Sequence, residues 1–384
     1  MSTALAALRG ILATLLALLL LLVAVGIAGP PLYRFPPPQP FSGPHWYNPY
    51  AERPPELLRV NLHAHSLVWS GLTYADATSE EVVEHYRALG YDLAALSNYM
   101  TVTPPIDPRL IYLPTYEHGV SVPQFHLTVV GAESALPFDY PLWQTVRHKQ
   151  HLIELLRPRS GALVINHPRK AWGTSAGEMA QLTGYTGVEV RSRYHAESEV
   201  WDAALSAGRV VWGIASDDTH RLIEKPHRAR NGWLRMRARA RSADAVLNAL
   251  LKGRFTAVWD PLKTGPNRLL SLRVQGGAIE VALAEEAKTI RFIGQSGVLR
   301  AKHKWTARAR YVLREDDTYL RVETETRDSE LLLQPVFRYD GEPFRALEAE
   351  PRLALTWVVR GAVGAVTLAG LWGLLGFALR GRRR

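Results

Sequence analysis

Apolar residues follow three patterns along this chain, and each predicts a different kind of structure. The first is the unbroken run. Residues 11–28 carry no charge, and with Ala4–Leu8 before Arg9 they are long enough to span a bilayer. Ala28-Gly29-Pro30 ends in small residues, as a cleaved signal does. Pro30 and Pro31 are poor cleavage neighbours, so the reading is an uncleaved helix. Residues 361–379 form a second run, with Trp357 before it, where an amphipathic ring favours an interface. Arg380-Gly381-Arg382-Arg383-Arg384 follows directly. This basic tail and Arg9 predict a two-pass cell-membrane protein with both termini cytoplasmic and residues 30–355 outside.

The second pattern is alternation of short apolar runs with helical spacing. Leu57–Leu62, Tyr91–Leu96, Ile111–Tyr116, Phe125–Val130, Ala162–Asn166, Val188–Val190 and Val210–Ala215 read as strands. Ser79–Leu89, Leu142–Leu156, Ser175–Leu182 and Glu197–Ala207 read as helices between them, and Asn231–Arg239, Ala243–Leu251 and Arg254–Trp259 as strand, helix, strand. Such β/α order predicts a barrel, or a parallel sheet covered by helices, with its site at the C-terminal strand ends. The third pattern, strict alternation, appears in Leu270–Val274, Thr289–Ile293 and Tyr319–Glu323 and predicts half-buried antiparallel strands, a small β domain ending near Pro351. Pro30–Pro55 includes Pro36-Pro37-Pro38 and reads as a stiff extended spacer whose aromatic residues pack on the domain.

Composition narrows the chemistry. The chain has 384 residues and no cysteine, so thiolate sites are excluded and any metal must sit on His, Asp and Glu. The net charge of +10 does not predict a specific nucleic-acid partner. Arg9, Arg360, Arg380, Arg382, Arg383 and Arg384 lie at the ends, where they serve membrane topology; the rest of the chain is nearly balanced.

Histidines and carboxylates collect at predicted strand ends. His63 and His65 are two apart and share a face. Glu117, His126, His167 and Asp218 each close or enter another strand. A nitrogen or oxygen ligand at each of five strand ends is what a metal centre needs, and one carboxylate can bridge two ions. His118 would point to the opposite face from Glu117, into core or surface. His45, His85, His148, His151, His195 and His303 have no metal spacing and read as structural or exposed; His227 could approach the site on a loop, and Trp46, Trp69 and Trp172 read as core-packing rings before pocket walls.

These residues carry a resemblance. Leu62-His63-Ala64-His65-Ser66, Gly90–Tyr99, Glu117, His126, Asn166-His167-Pro168 and Ser216-Asp217-Asp218-Thr219-His220 are similar, in order and spacing, to the PHP (polymerase and histidinol phosphatase) family over about residues 56–262. Lys252–Thr256 resembles a segment of membrane-linked relatives. The resemblance implies a distorted β/α barrel and phosphoester hydrolysis. It implies that His63, His65, Glu117 and Asp218 hold one divalent ion (Zn, Mn or Fe), and that Glu117, His126 and His167 hold a second. Glu117 would be the bridge, and an ion-bridging hydroxide the nucleophile. The family's third site falls on Ser70, Tyr99 and His220, and the first two cannot serve; Asn61 and Asn98 also replace usual aspartates. Two ions and no third are expected. Asp218, Glu117 and His220 are the catalytic candidates. Arg169, Arg191, Arg193 and Arg221 are candidates for holding substrate phosphate, with a phosphorylated small molecule or an envelope component as substrate.

The expected organisation is an N-terminal transmembrane helix (1–29), a spacer (30–55), a metal-binding barrel (56–262), a small β domain (263–351), a second transmembrane helix (356–379) and a basic tail (380–384). The altered positions leave a rival reading open: a catalytically inactive PHP-like binding or scaffold protein of the cell envelope.

Overall fold

The structure, a computed structural model, describes residues 2–170, 173–192, 196–226, 229, 231–262, 265–344 and 346–379. The basic tail, Trp172, Arg193, His195 and His227 lie outside the described residues. In chain order, helix α1 (Ser2–Ala28) leads into short strands β1 (Tyr33–Arg34) and β2 (His45–Tyr47), then β3 (Glu56–Asn61), α2 (Ser79–Ala88) and β4 (Leu93–Ala94). Next come β5 (Thr115–His118), β6 (Leu127–Val130), α3 (Val146–Leu156), β7 (Ala162–Ile165), α4 (Ala176–Gln181), β8 (Gly187–Arg191), α5 (Ser198–Ser206) and β9 (Trp212–Ala215). They are followed by β10 (Gly232–Ala238), α6 (Ala243–Leu251), β11 (Phe255–Trp259), β12 (Leu269–Gln275), β13 (Ala278–Ile293) and β14 (Leu299–Val312). The chain closes with β15 (Tyr319–Glu325), β16 (Glu330–Tyr339), β17 (Glu350–Pro351) and α7 (Leu353–Leu379).

β5 to β9 form one sheet in sequence order. β3 and β4 pair in parallel within a second sheet that also holds β10 and β11. The two sheets meet at isolated parallel bridges, Tyr99 with Glu117 and Ala64 with Thr219. Apolar side chains of both sheets and of α3, α5 and α6 fill one core, with Trp201 and Trp212 fully buried in it. The strands are not all parallel, contrary to the β/α expectation: β5–β6 and β6–β7 are antiparallel. A helix between neighbouring strands normally makes a parallel crossover. Here residues 131–141 first climb from the end of β6 to the β5–β6 loop, where Val122 N–H bonds Pro141 O, and α3 then descends to the start of β7. The helix expected from Leu142 therefore begins at Val146, capped by Thr145.

The antiparallel strands after residue 263 continue the second sheet, because β16 pairs with β11. A buried amide locks this junction. Gln334 Oε1 accepts from Gly213 N–H and its Nε2 donates to Gly213 O, both at 2.8 Å, so a side chain from β16 copies a backbone ladder against β9. β14 and β16 went unread in the sequence. The spacer packs on the domain, with Phe41 stacked on Phe337 and Tyr47 donating to Lys252 O.

α1 and α7 are long and apolar enough to cross a membrane, and only 6% of each candidate span is buried. They pack antiparallel. Leu20 fills the space over Gly370, and Arg360 donates to Ala28 O and Gly29 O. Trp143 lies against Gly26, and His148 Nε2 bonds Gly26 O at 2.7 Å, so α1 leaves the domain beside the N-terminus of α3. Replacing Gln334 by Leu strands the Gly213 amide in the core. We expect a loss of about 1–3 kcal/mol, read as a fall in the thermal midpoint of the detergent-solubilised chain; an unchanged midpoint would contradict the lock.

Candidate metal centre

Two extended segments build the floor. His65 N–H bonds Thr219 O at 2.9 Å and Asp218 N–H bonds His63 O at 3.1 Å, so His63-Ala64-His65 and Asp218-Thr219-His220 lie side by side. Residues two apart share a face. His63, His65, Asp218 and His220 thus point into one buried space while Ala64 points into core. Glu117 enters from β5, His126 from the residue before β6, and His167 from the turn after β7. Two backbones here take left-handed conformations that ordinary residues avoid, at His167 (φ 25°) and Asp218 (φ 46°). Such strain persists where the surroundings over-determine it, and it clusters at functional sites.

The buried His, Asp and Glu side chains form two groups able to hold an ion: His63, His65 and Asp218, and Glu117, His126 and His167. Glu117 faces both. Its Oε2 lies 3.1 Å from His65 Nε2 and 3.4 Å from His63 Nε2; its Oε1 lies 3.1 Å from His126 Nδ1 and 3.4 Å from His167 Nε2. Asp218 Oδ1 is 3.3 Å from His63 Nε2 and 3.4 Å from His65 Nε2. These short approaches largely fail as hydrogen bonds. Glu117 Oε2, both Asp218 oxygens and both His167 nitrogens are buried without a hydrogen-bond partner. His63 Nε2 and His65 Nε2 face each other at 3.1 Å. Converging, unsatisfied nitrogen and oxygen lone pairs fit divalent cations and little else.

A second set of side chains orients the first. Glu189, buried on β8, lies 3.1 Å from His63 Nδ1 and accepts from Ser216 Oγ and from His167 N–H. With the proton of His63 on Nδ1 facing Glu189, Nε2 is free to bind a metal. Asn166 donates to Glu117 Oε1 at 2.8 Å and is itself held by Thr128. Asp217 turns away from the ligands and accepts from Tyr86 OH and from Asn231 and Gly232 N–H. The role of Glu189 was missed in the sequence. Its signal was a single acid flanked by Val188 and Val190 in a short strand.

The remaining candidates fall as follows. His220 donates from Nδ1 to Asp218 O at 3.1 Å, and its ring lies 4.1 Å from that of His65. Tyr99 stacks on His65 at 4.7 Å and meets His126 edge-on at 5.5 Å. Ser70 lies on the exposed turn at Trp69–Gly71. Asn61 bonds the backbone of His63. His118 is buried with neither nitrogen bonded, and burial pulls its pKa to about 4. Arg169 pairs with Glu199 and Arg191 with Glu330. Arg221 pairs with Glu224 and covers the Tyr74 ring. Arg193 lies outside the described residues.

No family model matches the chain, and no curated protein does. Among solved structures, a two-domain protein from Bacteroides vulgatus, described as containing a predicted PHP-like metal-dependent phosphoesterase, is similar at 13% identity with a TM-score of 0.39. The match covers 82% of this chain and 98% of that one. A likeness this distant decides neither fold nor activity.

Without a cation the centre balances its own charges. Burial works against ionised Glu117, but His63 and His126 outweigh it and hold Glu117 well below the usual carboxylate range. Burial likewise opposes a charged His63, and Glu117 and Asp218 overcome it, raising His63 well above its ordinary value. His65 is raised in the same way, against burial, by Asp218 and Glu117. Burial, and then the charge on His65, depress His220 to about 3. An imidazole raised well above its ordinary value, as His63 is, holds its second ring proton near neutral pH, and a cation must displace it. Binding of Mn²⁺ or Zn²⁺ at pH 7 should therefore release protons, and affinity should climb with pH. Calorimetry in buffers of different ionisation enthalpy reads the release; zero net release would contradict this charge state.

Proposed function

We propose that this chain is a membrane-anchored, metal-dependent hydrolase of the PHP type that cleaves phosphoesters at a dinuclear centre. The observation that carries the reading is Glu117, whose two oxygens each face a separate set of buried ligands. His63, His65 and Asp218 would hold one ion, His126 and His167 the other, with Glu117 shared. Bound divalent ions supply charge neutralisation for a phosphoester and acidify water. The chain supplies the rest. Glu189 fixes the tautomer of His63, Asn166 fixes the carboxylate plane of Glu117, and the buried walls keep the ligand field dry. His220, neutral and with Nε2 turned toward Tyr99 OH at 3.5 Å, stands at the mouth of the centre as the catalytic candidate able to accept a hydrogen bond there.

Two helices long and apolar enough to cross a membrane support a site held at an envelope membrane. The antiparallel packing of α1 and α7 favours both termini on one side, and the basic run Arg380–Arg384 supports the cytoplasm as that side. A reporter fused after Arg384 should be active only in the cytoplasm.

The full chain, purified in detergent and loaded with Mn²⁺ or Zn²⁺, should hydrolyse 4-nitrophenyl phosphate or its diester. His63→Ala and Asp218→Asn should each lower kcat by roughly 100-fold or more, and Glu189→Gln by roughly 10–100-fold. If the metal-loaded wild type turns over neither ester, the scaffold reading replaces this one.

A further inference from the structure

A groove opens beside the centre, and its walls are mostly apolar, with Thr73, Ser121 and Gln124 among them. Trp69, Leu72, Tyr74 and Val120 form its sides, and Tyr99 and His126 its inner end, around a volume of about 530 Å³. The inner end touches the metal ligands, because Tyr99 stacks on His65 and His126 faces Glu117. Leu72 is 90% exposed, Val120 61% and Trp69 54%. Large apolar side chains exposed together at the mouth of a polar site mark a surface that something apolar covers.

The groove also adjoins the place where α1 leaves the domain. Val120 N–H bonds Asp139 Oδ2 at 2.8 Å, and Val122 N–H bonds Pro141 O at 3.0 Å. The same segment continues into Trp143, packed on Gly26, while Tyr140 packs on Gly29. Arg147, one turn on, donates to Ile27 O. Aromatic rings and a basic side chain around a helix exit are what a membrane–water boundary selects. One wall of the groove is thus hydrogen-bonded to the segment that meets the membrane helix. Meanwhile three candidate phosphate-binding arginines are engaged with carboxylates: Arg169 with Glu199, Arg191 with Glu330 and Arg221 with Glu224. Among the described residues the groove's own lining holds no lysine or arginine, so its mouth offers an apolar chain more than it offers a sugar or a nucleotide.

We infer that the substrate is a phosphoester carried by a membrane lipid, its apolar chain lying between Leu72 and Val120 and its phosphate reaching the centre past Tyr99. This inference rests on the hydrolase reading above. The reaction is plain hydrolysis. The P–O bond to the lipid-borne leaving group breaks, a P–O bond to the oxygen of water forms, and a proton from that water ends on the leaving oxygen.

The test compares ethylphosphonate with octylphosphonate, which cannot be hydrolysed, on the full Mn²⁺-loaded chain in nanodiscs. Empty nanodiscs serve as the blank, and ethyl and octyl phosphate as the matching substrates. Each methylene that leaves water contributes about fourfold in affinity, and the groove is partly open. Octylphosphonate should therefore bind at least about tenfold tighter than ethylphosphonate, and octyl phosphate should show a similar gain in kcat/KM. The exposed pair Leu72→Ser and Val120→Ser should erase most of that gain. Equal binding of the two phosphonates, or a gain that survives both substitutions, would overturn the lipid inference while leaving the hydrolase reading in place. Binding of neither phosphonate, with neither ester cleaved, would remove both readings together.

Discussion

Everything at this site depends on one buried carboxylate with two unlike faces. Glu117 is fully buried, and ionising a carboxylate there is expensive unless positive charge meets it. Imidazoles approach both of its oxygens, so the cost is offset from two directions at once. Protons on the imidazoles can do this, and so can cations. Protons leave Asp218, His167 and one Glu117 oxygen without hydrogen bonds. Cations would satisfy Asp218, the Glu117 oxygen and one nitrogen of His167, and this difference favours a metal centre over a structural charge cluster.

The fold serves that carboxylate by bringing separate strands to one point. The bridge between Tyr99 and Glu117 and the bridge between Ala64 and Thr219 sit where the two sheets meet. Both bridges hold ligand-bearing segments, so closure of the sheets and assembly of the site are the same event. Left-handed backbone at His167 and Asp218 is the local cost of that closure. The C-terminal strands reinforce it from behind. Gln334 grips Gly213 on β9, the strand that leads directly to Asp217 and Asp218.

Much of the centre was legible because its ligands obey simple periods. His63 with His65, and Asp218 with His220, are two apart at strand ends, and strand geometry alone puts each pair on one face. Glu189 was not legible as a ligand-orienting group, since its partners are distant in sequence and only folding brings His63 to it. β16 was hidden for a different reason. Its run Glu330–Tyr339 is apolar without alternation and contains Pro335, which argues against an interior strand. The structure accommodates that proline between the residues that pair with β11 and those that pair with β2, beside a register shift against β15. β14 was masked by its basic residues, which crowd an edge strand that, among the described residues, pairs with β13 alone. The parallel expectation failed where residues 131–141 undo the crossover that α3 would otherwise make.

The proposed pairing of two ions through Glu117 has a direct spectroscopic readout. Electron paramagnetic resonance of the full chain, saturated with Mn²⁺, distinguishes neighbouring ions from isolated ones. A shared Glu117 should give the signal of an exchange-coupled pair, replaced by that of isolated ions in Glu117→Ala. A saturated wild-type chain showing only isolated Mn²⁺ would contradict it.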